Sequence, residues 1–374
     1  MRPFIVQAVV SGAAAAFLLA GALAGCAGSS ALSPLSGASA TTTQIPPART
    51  PATDTWRRSV SRVPLPSAGC FEATYPALAW ARVACTTPPP IMLPPHITQG
   101  SANTKSRVNA AIAGGGSDYT IQTGSNLIST AVGSFPVAST STVTDTVGSC
   151  ALNCFSLQLN SGFFPTAACN GQPNCLGWEQ FVFESPTWNV PEESTGYLFI
   201  EDWLLNYSPC PSGWNSYEGV DCWKNSDLSS SVAFFLVDLT TLESVVETGA
   251  AASSGDSLYL TVGTKAYGYK NVQSDGITDL ASHWNAAQFN ILGSSGGATL
   301  DFNGASTIEV SLQADDGVLT APTCQAGGYT AETNNLSLVA APASAPELTY
   351  PSILYEESNV SGLGSPSCDA VAGQ

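Results

Sequence analysis

Tyr197-Leu-Phe-Ile-Glu201-Asp202-Trp203-Leu-Leu-Asn206 decides how the chain is read. In an extended strand, successive side chains point to opposite faces of the sheet. Tyr197, Phe199, Trp203 and Leu205 then share one face with Glu201, while Leu198, Ile200 and Leu204 share the other with Asp202. Each face is apolar and carries one carboxylate, so at least one of the two acids is directed into the interior or a cleft. The same alternation runs through Phe155-Ser-Leu-Gln-Leu159, Glu179-Gln-Phe-Val-Phe183, Ser257-Leu-Tyr-Leu-Thr-Val262 and Ser306-Thr-Ile-Glu-Val-Ser-Leu312. Clusters of Ser, Gly, Asn, Asp and Pro separate these runs. Thr240–Thr248 and Ile277–Ala287 are the stretches with room for a short helix. Many short alternating strands over residues 108–374 predict one all-β domain, an antiparallel β-sandwich or jelly roll.

Upstream of that body the composition changes three times. Arg2 precedes an apolar run from Phe4 to Leu23 that ends in Leu23-Ala24-Gly25-Cys26. A positive start, an apolar stretch and small residues before the cut mark a secretory signal over residues 1–25. The final four residues are similar to a bacterial lipobox, which implies a lipid on Cys26 and attachment to a membrane. The alternatives are an ordinary signal peptide with a chance cysteine, or an uncleaved anchor. Residues 26–55 are rich in Ser, Ala, Thr and Pro and read as a flexible tether. Residues 56–107 place Trp56, Phe71, Tyr75 and Trp80 among prolines. Pro88-Pro89-Pro90 and Pro94-Pro95 exclude helix and central strand, which predicts an extended, proline-rich arm with one stapled turn.

Charge follows the same division. Residues 49–107 carry seven Lys/Arg against two acids, whereas residues 108–374 carry three lysines, no arginine and 26 acids. A body this acidic repels nucleic acid and anionic lipid, so neither is expected as a partner. The basic arm either lies along the acidic body or is a solvated linker. With few basic partners to lose, the fold is expected to tolerate acid.

Eleven cysteines occur, and ten remain if Cys26 carries lipid. An even remainder fits disulfides in an oxidising compartment, consistent with export to the cell envelope. Closeness in sequence pairs 70 with 85, 150 with 154, 169 with 175, 210 with 222 and 324 with 368. Zinc is disfavoured by the absence of any Cys-x-x-Cys pair and by a total of two histidines, His96 and His283. Asp315-Asp316-Gly317 is a tight-turn sequence that needs no calcium. Nothing in the sequence calls for a cofactor or a metal.

Candidate chemistry is sparse. Gly293-Ser-Ser-Gly-Gly297 matches G-x-S-x-G, but strand-like residues follow it where a nucleophile elbow needs a helix, so it reads as a hairpin. Paired acids are better candidates, because two carboxyls sharing a proton supply acid and base at low pH. Glu179, Glu184, Glu201 and Asp202 are the ones set within or beside strands. Trp214 and Tyr217 lie inside the Cys210–Cys222 loop and Trp223 follows it. These rings either stack on a polysaccharide or protein ligand or pack the loop onto the body.

The order of segments resembles the glutamic peptidases, secreted acid-acting enzymes on a concanavalin-like jelly roll. The resemblance runs over Gly133-Ser-Phe-Pro-Val137, Trp178-Glu-Gln-Phe-Val182, the strand from Tyr197 to Tyr207, Ser254-Gly255-Asp256 and Ala287-Gln-Phe-Asn-Ile291. It implies a Gln–Glu pair that activates water and holds the oxyanion, with Gln180 in the place of the Gln. At the family's A-E-W-I segment this chain has Gln288, and an amide cannot act as a general base. Glu201 is the acid available to replace it. The family's basic pro-segment finds a counterpart in residues 49–107. Two functions follow: a lipid-anchored β-sandwich that binds a polymer or protein, and, as the alternative, an acid hydrolase using Gln180 and Glu201.

Overall fold

The alternating segments do pair as strands. The structure, a computed structural model, describes residues 50–96, 118–146, 153–185, 195–233, 237–271, 274–342 and 348–374. Cys26, the signal segment, residues 97–107 of the arm and Cys150 lie outside the described residues.

A ten-stranded sheet runs in the order Ala81–Val83, Gly69–Thr74, Lys265–Asn271, Asp256–Val262, Val245–Ala250, Thr130–Ser139, Thr307–Asp315, Ser352–Ser358, Ser337–Leu338. Asp369–Val371 is its tenth strand and pairs with Ser352–Ser358. A nine-stranded sheet runs Thr323–Ala326, Tyr119–Gln122, Ala286–Leu292, Ser156–Ser161, Leu176–Glu184, Thr195–Leu205, Asp221–Asn225, Asn215–Tyr217, with Ser230–Ala233 also pairing Thr195–Leu205. Every pairing in these two sheets is antiparallel. The expected all-β sandwich is therefore present. Phe135, Phe155, Phe181, Phe183, Ile200 and Phe289 belong to one buried cluster between the sheets. The approach is close enough that Phe289 lies over bare backbone, where a Cβ on Gly133 would come within 2.2 Å of the ring.

Four of the expected disulfides form: Cys70–Cys85, Cys169–Cys175, Cys210–Cys222 and Cys324–Cys368. Cys154 is also disulfide-bonded. Such bonds persist in an oxidising compartment, outside the cytosol. No helix among the described residues is long and apolar enough to cross a membrane.

Several local expectations need correction. The tether does not reach residue 55. Thr50 and Thr53 form a reciprocal capping box and Pro51 occupies the first turn, so Pro51–Val60 is a helix that buries Trp56 and Val60. The arm does more than lie along the body, because Gly69–Thr74 pairs with Lys265–Asn271 and adds strands to the larger sheet. Leu239–Ser244 is a 3₁₀ turn, but Val245 onward is strand, since Val245, Val246 and Thr248 are β-branched. In the second candidate helix, the short helix ends at Thr278 and residues 286–287 already belong to a strand. Gly293–Gly297 is not a hairpin. The strands on either side of it lie in different sheets, because Thr299–Phe302 pairs with Val143–Asp145 and Thr333–Asn334 in a separate three-stranded sheet.

Candidate active site in a roofed groove

The second face of the nine-stranded sheet, away from the core, holds a continuous row of polar residues. Cross-strand partners run Thr120, Gln288, Asn160, Gln180, Glu201, Asn225 across six neighbouring strands. One pleat to one side stand Trp178, Trp203 and Trp223; one pleat to the other stand Asn290, Gln158, Val182 and Phe199. Alternation alone marks these polar residues as solvent-facing. They are buried instead: Gln158, Asn160, Gln180, Glu201, Gln288 and Asn290 are each 0% exposed.

The roof is the arm. The prolines of Pro88–Pro95 keep the backbone extended and remove N–H groups, and the carbonyls that remain need donors. The groove supplies them. Asn225 Nδ2 donates to the carbonyls of Pro89 (3.2 Å) and Ile91 (3.0 Å), and Gly296 N donates to Met92 O (2.9 Å). Ala331 N donates to Pro94 O (2.8 Å), and His96 N donates to Tyr329 O (2.8 Å). Leu93 is fully buried against Val182 and Phe199, and Met92 packs on the Trp178–Trp203 wall. Residues 89–96 thus lie in the groove as a bound strand would.

Leu93 touches both residues of the candidate pair. Its N–H donates to Glu201 Oε1 at 3.1 Å. The Gln180 amide is oriented by its neighbours: with nitrogen toward the strap it donates to Leu93 O (2.9 Å) and Glu201 Oε1 (3.1 Å), whereas oxygen there would face only acceptors. Trp203 Nε1 also donates to Glu201 Oε1, at 2.6 Å. Glu201 Oε2 has no hydrogen-bond partner among the described residues. Burial pushes the Glu201 carboxyl well up, against the opposing pull of the Leu93 and Trp203 hydrogen bonds, and the nearby Glu332 carboxyl adds to the rise. Glu332 itself is pushed to about 7 by burial, although Thr330 Oγ1 and Gly297 N donate to it. Glu184 is raised by burial too, with Asp145, Glu332 and Glu201 as like charges nearby. The groove therefore has three buried carboxyls, Glu184 and Glu201 on the sheet and Glu332 on the neighbouring loop, disposed to hold protons.

Glu179 and Asp202 are cross-strand neighbours on the opposite face, between the sheets, near Asp256. Burial raises both, and each feels Asp256 as a like charge; Thr278 Oγ1 donates to Glu179 Oε2 at 2.7 Å. Both acids of the Glu201-Asp202 pair are thus interior, in different compartments.

Gln288 is committed elsewhere. Its Nε2 donates to Asp118 Oδ2 (2.7 Å) and its Oε1 accepts from Tyr329 N (2.6 Å), bracing the roof loop. Asp118 also accepts from Tyr355 Oη and Tyr119 N, and burial lifts it to about 7. At the position where the resemblance places an acid, this chain has a structural amide.

Of the predicted ligand-binding rings, Tyr217 and Trp223 join the groove wall. Trp203 lies 5.6 Å from Tyr217 edge-on and 6.4 Å from Trp223 in a stacked arrangement. Trp214 is apart, packed on the Cys169, Cys175 and Cys222 cluster. All three rings are half-buried. His283 stacks on Phe164 at 5.9 Å and lies 3.6 Å from Asp279. In the Asp315–Asp316 turn, Oδ1 of each acid accepts a backbone N–H two residues on. Among the described residues no group of three His, Cys, Asp or Glu is placed to hold a metal.

Leu93, Gln158, Asn160 and Glu332 were not singled out from sequence. Gln158 sat in a quoted alternating run, but its polar position gave no sign of being covered. No protein-family model matches the chain, and no curated protein matches it in sequence.

Proposed function

We propose that this is an exported, lipid-anchored acid hydrolase of glutamic-peptidase type, kept latent by residues 89–96 in its own groove. The observation that carries the reading is the seating of one residue, Leu93, with its N–H on Glu201 and its C=O on Gln180. A substrate laid along the same path has its carbonyl oxygen on the Gln180 amide. Water adds to the carbonyl carbon, and Gln180 N–H stabilises the oxyanion. Glu201 takes a proton from that water and delivers it to the nitrogen of the residue after the carbonyl as that C–N bond breaks. Opening the groove admits water, lowers the desolvation of Glu201 and frees the carboxylate to act as base. With Leu93, Pro94 and Pro95 buried, the strap excludes that water and is not itself cut.

The test is digestion of a peptide library at pH 3–4 by the full chain opened with Leu93→Ala, alone and combined with Gln180→Ala or Glu201→Gln. Cleavage lost in both folded variants supports the pair. Binding of extended peptides with no cleavage under any condition favours a peptide-binding groove instead. Anchoring is tested separately by metabolic labelling with a fatty acid: label should be incorporated in the wild type and absent from Cys26→Ala.

A further inference from the structure

The arm is basic and the body acidic, so simple attraction would set the arm's arginines against carboxylates. Arg58 and Arg62 are not so placed. They line one cavity of about 450 Å3 together with Lys270, on the face of the ten-stranded sheet opposite the core. Arg57 pairs with Asp54 and Lys224 with Asp227, but none of these three cations is within ion-pair distance of a carboxylate among the described residues. Arg62 lies over the Tyr350 ring (5.3 Å), and Lys270 Nζ reaches Ser254 Oγ at 3.5 Å. Asp315 is the one acid in the lining. Gathering three cations around one carboxylate that pairs with none of them costs free energy, and a shared anionic ligand lowers that cost. A chain with net charge −17 has few cations to commit to one place.

A second observation points into the same space. Thr248 is 2% exposed, lines the cavity, and its Oγ1 has no hydrogen-bond partner among the described residues. Ser257, Gln313 and the Tyr259 side chain add polar groups to the same wall. The volume falls within the roughly 300–1,000 Å3 typical of small-molecule sites. A lining of cations, hydroxyls, an amide and two tyrosine rings matches a ligand that bears a carboxylate, several hydroxyls and a ring with an apolar face.

We infer that this cavity is a binding site for an acidic sugar, a uronate unit of a polysaccharide, separate from the groove that holds Gln180 and Glu201. The site lets the protein dock on an anionic glycan despite its own negative charge.

Calorimetry on the full chain at about pH 6 and low salt tests this, with digalacturonic acid as probe and neutral digalactose and inorganic sulfate as comparisons. The uronide should bind with Kd of about 1 mM or tighter, weaken with added salt, and lose about tenfold in each of Arg62→Gln and Lys270→Gln. Arg58 and Arg62 are exposed, so their replacement leaves the fold intact, which far-UV circular dichroism checks. Equal binding of the neutral sugar, uronide binding indifferent to all three cations, or no binding at about 10 mM overturns the site. Sulfate binding without uronide binding overturns the sugar assignment.

Discussion

Leu93→Ala should loosen the strap while leaving the sandwich intact. Leu93 is 0% exposed and its side chain fills the space between Val182 and Phe199. Truncating a buried leucine costs about 2–5 kcal/mol. The strap has its own hydrogen bonds to yield, so the lower half of that range is apt, and a loss of about 2–3 kcal/mol raises the open population roughly 30- to 150-fold. The readout is hydrogen exchange of the Leu93 amide, which donates to Glu201, compared with a core amide such as Ile200. Exchange at 93 should accelerate by that factor with Ile200 unchanged, and peptide cleavage at pH 3–4 should rise in parallel. Leu93→Met, which keeps the volume, should change exchange far less. If Leu93 and Ile200 accelerate together, or neither moves, the strap is not a separable closure and the latency argument fails.

Stability should fall as pH rises. Buried Asp118 and Glu332 are each pushed to about 7, and Glu179, Glu184, Glu201, Asp202, Glu247 and Glu357 are also raised by burial. A carboxyl with a raised folded pKa keeps its proton after the unfolded chain has released its own. Its stabilisation is therefore full below about pH 4 and is lost as pH climbs toward about 7. Glu332 alone forfeits on the order of 3 kcal/mol over that interval. Thermal melts should give a higher midpoint at pH 4 than at pH 7.5, and an equal or higher midpoint at pH 7.5 contradicts this. Gln288→Glu should not create activity, since it removes the donor to Asp118. It should cost about 1–3 kcal/mol near neutrality, and less below about pH 4 where a protonated Glu can donate, as denaturant titration at both pH values would measure. Gly133→Ala, whose Cβ meets Phe289 at 2.2 Å, should cost about 1–3 kcal/mol. Gly276→Ala, with nothing within 4 Å, should be neutral or mildly stabilising in the same denaturant assay.

The strands from Ser156 to Leu205 were legible because their side-chain period is two and the core takes every second residue. The cross-strand meeting of Gln180 and Glu201 was legible only as two residues on alternating strands; their register depends on pairing that periodicity does not specify. The groove was hidden for another reason. Polar alternation signals a face away from the core, and water was the simplest occupant of that face. Here the occupant is a proline-rich segment more than a hundred residues upstream of Glu201, whose carbonyls the polar row satisfies. Five of the eight residues of Pro88–Pro95 lack an N–H, so nothing local marks the run as the partner of a sheet face. The helix at Pro51–Val60 was missed because Ser/Thr/Pro composition outweighed the Thr50–Thr53 capping box.

The central claim is that Gln180 and Glu201 act together on a peptide carbonyl that takes the place of Leu93. The most direct measurement is the rate of product release from a quenched-fluorescent peptide at pH 3–4 by three open-groove proteins: Leu93→Ala alone, with Gln180→Ala, and with Glu201→Gln. Turnover is expected from the first, with a fall of at least about a hundredfold in each of the others. Turnover that survives either second substitution, or a folded Leu93→Ala protein that binds the peptide and never cleaves it, would show that Gln180 and Glu201 do not form a catalytic pair.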